Sequence, residues 1–371
     1  MLLLFFPALF TIVYISLLLY FITGARRLYQ KPGKKSSEVL SSISVIVPLR
    51  NEQASVQTTL EALANQDYKG NWEVICVDDR STDNTRNLLE KFCSHKENFI
   101  VTEINKDLPN VTSPKKRALE KGFSLATGEV IMTTDADCTP PPGWISSMEK
   151  NFTKSIGIVQ GPKKISGPSS ILTNYQKLEV FGFVSVEAVT FAMGKPMLAS
   201  APSLAYRKSL FIQAKGFSGL EHLVSGDDDM LVHKMTQFKE GKVRYNVDSK
   251  ACVATPPVYS WRALLQQRSR WASNGAHYAN KSFIALLSCV FFFYVWLVVS
   301  PFMAYWNIIP WFAFFLPLTI KYILEYFFLT QTAIKFKQKR LLRYFIWAAL
   351  LHIPITVIAV IRGNFGWYKW K

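Results

Sequence analysis

Val130-Ile131-Met132-Thr133-Thr134-Asp135-Ala136-Asp137-Cys138 is an apolar, β-leaning run that ends in two carboxylates one residue apart. It predicts a buried strand whose C-terminal tip holds a divalent cation. In an extended chain residues i and i+2 project to the same side, so Asp135 and Asp137 can address one ligand while Ala136 points away. Crowded carboxylates repel unless a cation sits between them, and Mg²⁺ or Mn²⁺ suits such donors, completing its shell with substrate phosphates. A lone Asp-x-Asp also occurs in solvated loops, so the flanking chain has to decide.

Working outward, short apolar strands alternate with polar, helix-like stretches from Ile43 onward, the pattern of an α/β sheet. Ile43 to Pro48 reads as a strand followed by Arg50-Asn51-Glu52 and an amphipathic stretch to about Ala64. Trp72 to Val77 is the next strand and runs into Asp78-Asp79-Arg80-Ser81-Thr82-Asp83. Phe99 to Ile104 follows, then a helix from Lys115 to Ala126. Ligands of such sheets lie beyond the carboxyl ends of the strands, where Glu52, Asp78, Asp79, Asp135 and Asp137 all fall. Downstream, Ile156 to Gly161 reads as a strand, and Ser225-Gly226-Asp227-Asp228-Asp229 precedes a helical stretch from Met230 to Lys239. Helix capping explains one or two of those acids, whereas three together repel and suit a cation or a proton-accepting task.

The ends of the chain differ in character. Leu2 to Ile22 carries no charge and is long enough to cross about 30 Å of hydrocarbon. Arg26, Arg27, Lys31, Lys34 and Lys35 follow it, so the positive-inside rule sets the region after it in the cytoplasm. Pro32, Gly33 and serines 36, 37, 41 and 42 look like a linker. Trp261 to Tyr278 is a basic amphipathic element suited to the headgroup region. Three apolar spans come next, Phe283 to Val299, Ile308 to Thr330 and Leu341 to Ile361. Lys335, Lys337, Lys339, Arg340 and Arg343 between the last two predict a cytoplasmic loop. If all three spans cross, Arg362, Lys369 and Lys371 emerge on the wrong side for the rule, unless the last segment, with His352 and Pro354, is re-entrant or lies along the interface. Lys321 and Glu325 fall inside a span, where pairing on the bundle interior offsets their cost.

The 371 residues carry 43 Lys and Arg against 26 Asp and Glu, a net charge of +17, which asks for an anionic partner. Hydrophobic residues make up 49% and cluster at the two ends, which favours a membrane over nucleic acid. The five cysteines are odd in number and widely spaced, which argues against a disulfide framework or a zinc site. The predicted organisation is an N-terminal transmembrane helix over 1–24, a basic linker over 25–42, an α/β domain over 43–258, an interface helix over 259–281 and a transmembrane region over 282–371.

Taken together, Val45 to Glu52, Val77 to Thr85, Thr134-Asp135-Ala136-Asp137, Gly226-Asp227-Asp228 and Gln267-Arg268-Ser269-Arg270-Trp271 resemble the membrane-bound family 2 glycosyltransferases. The resemblance covers about Ile43 to Trp271 and implies a GT-A fold that transfers a sugar from a nucleotide-sugar, a UDP-sugar by expectation, with inversion at the anomeric carbon. It implies that Pro48, Glu52, Asp78 and Asp79 hold the nucleoside, that Lys115 and Asp135 lie near the diphosphate, and that Asp137, with Asp135, holds Mg²⁺ or Mn²⁺. Asp228 matches the family's general base, with Asp227 and Asp229 as alternatives by one residue of register. Gln267 and Arg270 match residues that meet the pyrophosphate, and Trp271 the floor of the acceptor site. Where many members have Gly-x-Asn, this chain has Ala201-Pro202-Ser203 ahead of Ala205-Tyr206-Arg207, an altered acceptor wall. One apolar span before and three after favour a membrane lipid or lipid-linked acceptor. The alternative is a processive polysaccharide synthase of the cellulose, hyaluronan or poly-N-acetylglucosamine type. The expected enzyme is integral to the membrane with its catalytic domain in the cytoplasm, a bacterial inner membrane being preferred, and with no nucleic-acid partner.

Overall fold

Valine and isoleucine buried on both faces are what a central parallel sheet requires, and Ile43–Leu49 meets that demand as strand β1. The computed structural model describes residues 2–28, 40–104, 113–223 and 225–368. The linker residues Lys31, Pro32, Gly33, Lys34, Lys35, Ser36 and Ser37, and the tail residues Lys369 and Lys371, lie outside them. The chain divides into two compact units. One comprises Arg27–Ser166 and Val186–Pro256, the other Met1–Arg26, Gly167–Ser185 and Pro257–Lys371.

In the first unit β1 pairs in parallel with β2 (Trp72–Asp78) on one side and β4 (Val130–Thr133) on the other, and β2 pairs with β3 (Phe99–Glu103). The register sets Leu49 beside Asp78 and Ile46 beside Thr133, so the loops that follow β1, β2 and β4 open at one edge of the sheet. Beyond β4 lie β7 (Leu204–Arg207), antiparallel to both neighbours, then β5 (Ile158–Gln160) and β8 (Val243–Tyr245). A separate parallel pair joins β6 (Lys163–Ile165) to β9 (Val253–Thr255). Helices α2 (Val56–Ala64), α3 (Thr85–Cys93), α4 (Pro114–Leu125) and α5 (Trp144–Glu149) follow β1 to β4 in turn, the alternation the sequence predicts. Gly122 of α4 fits only because it lacks a side chain, since a Cβ there would lie 2.4 Å from Ile46 of β1. α7 (Lys208–Gln213) follows β7, and the helix expected from Met230 to Lys239 is the shorter α8, Asp229–Met235.

One long element has no counterpart in the sequence reading. Ile171–Ala192 form α6, which starts in the second unit and ends in the first. Its apolar residues lie all round rather than on one stripe, so it lacks the amphipathic signature of a surface helix.

The second unit is helical. α1 (Leu2–Arg27), α10 (Lys281–Tyr305), α11 (Phe312–Lys335) and the segment Lys339–Asn364, which contains α12 (Phe345–Asn364), are each long and apolar enough to cross a membrane. Their polar contacts are shared. Lys321 is 1% exposed and its Nζ lies 2.7 Å from Glu325 Oε2, with Tyr14 of α1 donating to the same carboxylate and lying 3.2 Å from the Tyr294 hydroxyl. The expected interior pairing of Lys321 with Glu325 is therefore present, and tyrosines from two other helices, Tyr14 of α1 and Tyr294 of α10, extend it.

The amphipathic element is α9 (Trp261–Ala272) with a 3₁₀ turn over Ser273–Ala276, shorter than the stretch to Tyr278. α12 ends against it. A Cβ at Gly363 would lie 2.5 Å from the Ser269 carbonyl oxygen, and Tyr368 donates to Ser273 Oγ at 3.0 Å. Ser185 of α6 meets Thr332 near the end of α11 at 2.9 Å, and Glu179 of the same helix meets Arg268 of α9. Thus the chain leaves α11 and, after α12, comes back to α9, which itself leads into the start of α10.

Candidate functional site

Strand-end loops build the site in the first unit. Leu49 and Asp78 end adjacent strands, and the loops beyond them are stitched together: Thr82 N donates to Asn51 Oδ1 at 2.8 Å, Asn84 N to Gln53 Oε1 at 3.1 Å, and Glu52 N to Thr85 Oγ1 at 2.8 Å. Asn51 and Arg80 adopt positive φ, 55° and 56°, to make the turns. Glu52 accepts from Ser55 Oγ at 2.9 Å, and Pro48 lies within β1 one residue short of its end. Asp78 accepts from Ser81, whereas Asp79 is buried with both carboxylate oxygens on Arg117 Nη2, at 3.0 and 2.9 Å. Arg117 was absent from the sequence expectation because its partner lies 38 residues away. A buried carboxylate needs such a partner, and this one fixes the β2–α3 loop against α4.

Lys115 joins two of the sequence motifs. Pro114 starts α4, with Ser113 Oγ capping it by accepting from Lys116 N. Lys115 Nζ then lies 2.7 Å from Asp135 Oδ1 and 2.8 Å from Asp227 Oδ2. Burial opposes the charge, yet Asp135, Asp227 and Asp228 hold this ammonium well above the usual lysine range. Lys116 points elsewhere, donating to the Leu220 and Leu223 carbonyls at 2.7 and 2.8 Å and so tethering the segment that leads to the triple aspartate.

Asp228 caps α8. Its Oδ1 accepts from Asp229 N at 2.8 Å, and its Oδ2 accepts from Ala201 N at 3.2 Å. Gly226, at φ +87°, supplies the left-handed turn that delivers the loop. Burial, then the neighbouring Asp227 and Asp229 carboxylates, push the Asp228 carboxyl up to about 8, against the pull of Lys115. Asp229 accepts from its own helix at Met230 N, 2.8 Å. The altered wall is thereby explained in part: Ala201–Ser203 form a 3₁₀ turn whose Ala201 oxygen accepts from Thr133 Oγ1 at 2.9 Å while its nitrogen holds Asp228. One short turn therefore links the end of β4 to the base candidate.

Behind that turn lies a carboxylate absent from the sequence expectation. Glu187 of α6 is buried, accepts from Ser200 Oγ at 3.4 Å and stands 4.0 Å from Lys163 Nζ. Burial pushes it up to about 7 despite the lysine. A glutamate inside an unrecognised helix gave no signal in the sequence.

The donor set at the tip of β4 fits a hard cation. Asp135, Asp137 and Cys138 bring one donor atom each to within 4.8 Å of one another. Thr59 Oγ1 holds the intervening Ala136 carbonyl at 2.8 Å. Burial and then Asp135 and Asp137 push the Cys138 thiol up, and it donates to Asp137 Oδ1 at 3.4 Å; a hard cation prefers the carboxylate oxygens to sulfur.

In the helical unit, Gln267, Arg270 and Trp271 all lie on α9 and are partly exposed. The residue between them is the buried one. Arg268 reaches Glu179 Oε2 through Nε at 2.9 Å and Nη2 at 2.5 Å, donates to Gln267 Oε1, and has its guanidinium 4.2 Å from the Trp271 ring centroid. Tyr175 donates to Glu179 at 3.0 Å, and His352 of α12 lies 3.7 Å away. Burial opposes ionisation of Glu179, but Arg268 and then His352 hold it down at about 2. Its stabilising charge is thus present above the ordinary 4.5 and lost as pH falls toward about 2. Glu179→Ala should cost about 3–5 kcal/mol by stranding Arg268. Melting of the detergent-solubilised protein checks this, with Glu179→Leu/Arg268→Met expected to recover most of the loss; equal melting of wild type and Glu179→Ala would show the pair to be idle.

A mixed sheet with acidic loops at its carboxyl edge, accompanied by long apolar helices, has the α/β arrangement of the GT-A fold. A model described as Glycosyl transferase family 2 matches residues 44–210, and one described as Glycosyl transferase family group 2 matches residues 130–361. The second match spans more than half of the chain, which therefore belongs to the family 2 glycosyltransferases. The chain is similar to the probable glycosyltransferase YdaM of Bacillus subtilis (strain 168), 27% identical over 260 residues, covering 68% of this chain and 59% of that protein. It is also similar to a poly-beta-1,6-N-acetyl-D-glucosamine synthase of Staphylococcus epidermidis, 25% identical over 246 residues, covering 65% and 56%. The chain thus spans less than two thirds of the length of these relatives. Among solved structures, the mannosyltransferase PcManGT from Pyrobaculum calidifontis in complex with GDP-Man and Mn²⁺ matches with a TM-score of 0.61 at 17% identity, over 97% of this chain and 98% of that one, a likeness of fold.

Proposed function

We propose that the chain is a metal-dependent, inverting glycosyltransferase that moves a sugar from a UDP-sugar to a membrane lipid or lipid-linked acceptor, with its sheet unit in the cytoplasm. The observation that carries the reading is the convergence of Asp135, Lys115 and Asp227 through contacts of 2.7 and 2.8 Å, with the raised Asp228 next in the chain. Asp137 and Asp135 would hold Mg²⁺ or Mn²⁺, which when bound neutralises charge on the leaving diphosphate. Lys115, kept protonated by its acidic neighbours, adds a fixed positive charge to the same pole.

Asp228 takes the proton of the acceptor hydroxyl as its oxygen attacks the anomeric carbon. The new C–O bond forms as the bond to the nucleoside diphosphate breaks, and the diphosphate leaves with the electron pair. A single base on the attacking side gives inversion, whereas retention by double displacement would need a nucleophilic carboxylate as well. Glu52, Asp78 and Pro48 serve the nucleoside, while Asp79 acts on it through the loop that Arg117 fixes. Gln267 and Arg270 serve the pyrophosphate and Trp271 the acceptor, as the motif implies. The basic loop Lys335 to Arg343 supports the cytoplasmic assignment, and the return of α12 to α9 supports a tail on that same side.

Processive polymer synthesis is the second reading, favoured by the similarity to the Staphylococcus epidermidis synthase. Purified protein incubated with labelled UDP-sugars, Mn²⁺ and membranes separates the two. A single labelled glycolipid is the expected product; a ladder of polymer would support the second reading instead, and no transfer from any UDP-sugar would remove both.

A further inference from the structure

α9 and the segment after α12 form a half-open pocket of about 600 Å³ in the helical unit, which Gln267, Arg270 and Trp271 do not line. Its lining includes Trp261, Arg262 and Gln266 from α9 and Arg362, Trp367 and Tyr368 from the end of α12 and beyond, with no acidic side chain among the described residues. Arg362 Nη2 donates to the Trp367 carbonyl at 2.8 Å, which holds the guanidinium in place, while its Nε is buried without a hydrogen-bond partner among the described residues. Two guanidiniums lining one space repel in the absence of an anion. That paired positive charge points to a ligand that brings oxygen acceptors and negative charge.

We infer that this pocket binds the phosphate headgroup of an anionic membrane phospholipid. Arginine matches a phosphate diester through paired N–H donors, and Gln266 and Tyr368 offer further polar contacts. The lipid source, rather than a free anion, follows from the setting. Trp261 and Trp367 are 40% and 59% exposed, and Arg362 stands in the last turn of a helix apolar enough for a bilayer. Amphipathic rings flanking basic residues at the end of such a helix are the composition of the headgroup zone. The volume is in the range of small-molecule sites. A headgroup here would bridge α9 to α12, adding to the contact between Gly363 and Ser269, and would steady the helix that carries the Gln-x-x-Arg-Trp motif. The inference goes beyond the transfer reaction and does not depend on it, since binding can be read without turnover.

The test is melting of the full-length protein in detergent with added phosphatidylglycerol, phosphatidylcholine or inorganic phosphate at equal concentration. Phosphatidylglycerol should raise the melting temperature by about 3–5 °C, with little effect from the other two. Arg262→Gln/Arg362→Gln should lose that rise. Arg262→Gln alone, at an exposed position where truncation disturbs no packing, should lose much of it while melting as the wild type does without lipid. A rise that survives in both variants would overturn the proposal. So would an equal rise with phosphatidylcholine, an equal rise with inorganic phosphate, which would mark a free-anion site, or no rise at all.

Discussion

Asp228→Asn is expected to lower turnover by roughly 10²-fold or more, the range for loss of a general base, while nucleotide binding stays nearly intact. The argument rests on protonation as much as on position. The carboxyl is pushed up to about 8 by burial and by Asp227 and Asp229, which brings its proton affinity near that of the working solution. The wild-type rate should therefore rise with pH along a limb ending at or below about 8, because a bound cation and Lys115 both favour the ionised form. The asparagine variant should lack that limb.

Stability moves in the opposite sense. A raised carboxyl gives the native state an advantage that is complete below the ordinary 3.8 and is lost as pH climbs through about 8. The permanently neutral asparagine should flatten that part of the melting profile. Stopped-time assays, nucleotide titration and melting over pH 5 to 9 read these effects. If nucleotide affinity collapsed in the variant, Asp228 would belong to the phosphate or metal cluster, and the base would have to be sought at Asp227 or Asp229.

What the sequence made legible follows from how each feature is encoded. β1, β2 and β4 are continuous apolar runs buried on both faces, so composition alone marks them, and the acidic residues at their ends follow within a few positions. The link from Lys115 to Asp135 and Asp227 depends on elements far apart in the chain, and only the resemblance hinted at it. Arg117 with Asp79, and Arg268 with Glu179, left no local pattern at all. α6 went unread for a related reason: its apolar residues surround the helix, and the periodicity that announces a half-exposed helix is missing. The carboxylates it carries, Glu179 and Glu187, went unread with it. For α12 hydropathy reports length and polarity but not direction, and the contacts of Gly363 with Ser269 and of Tyr368 with Ser273 reveal that the chain turns back to α9.

Asp137→Ala is expected to abolish Mn²⁺ binding and to reduce transfer by roughly 10³-fold, as befits the loss of several kcal/mol of charge stabilisation on the leaving diphosphate. The neighbouring residues show why this aspartate should matter more than Asp135. Asp135 Oδ1 is engaged by Lys115 at 2.7 Å, so part of its charge is already answered within the protein. Asp137 is the acid that the motif matches to the direct metal ligand, and it accepts from the Cys138 thiol at 3.4 Å. With Asp137 removed, Lys115 still bridges Asp135 and Asp227, and Thr59 still holds the Ala136 carbonyl, so the tip of β4 keeps its shape. The variant should melt as the wild type does while failing to deplete the free Mn²⁺ signal in electron paramagnetic resonance titrations with UDP present. Cys138→Ala is the matched control: a hard cation prefers carboxylate oxygens to a thiol, so Mn²⁺ binding should persist in that variant. Wild-type Mn²⁺ binding by Asp137→Ala would remove the Asp-x-Asp tip from the metal site and shift attention to the carboxylates of the Asp227 loop.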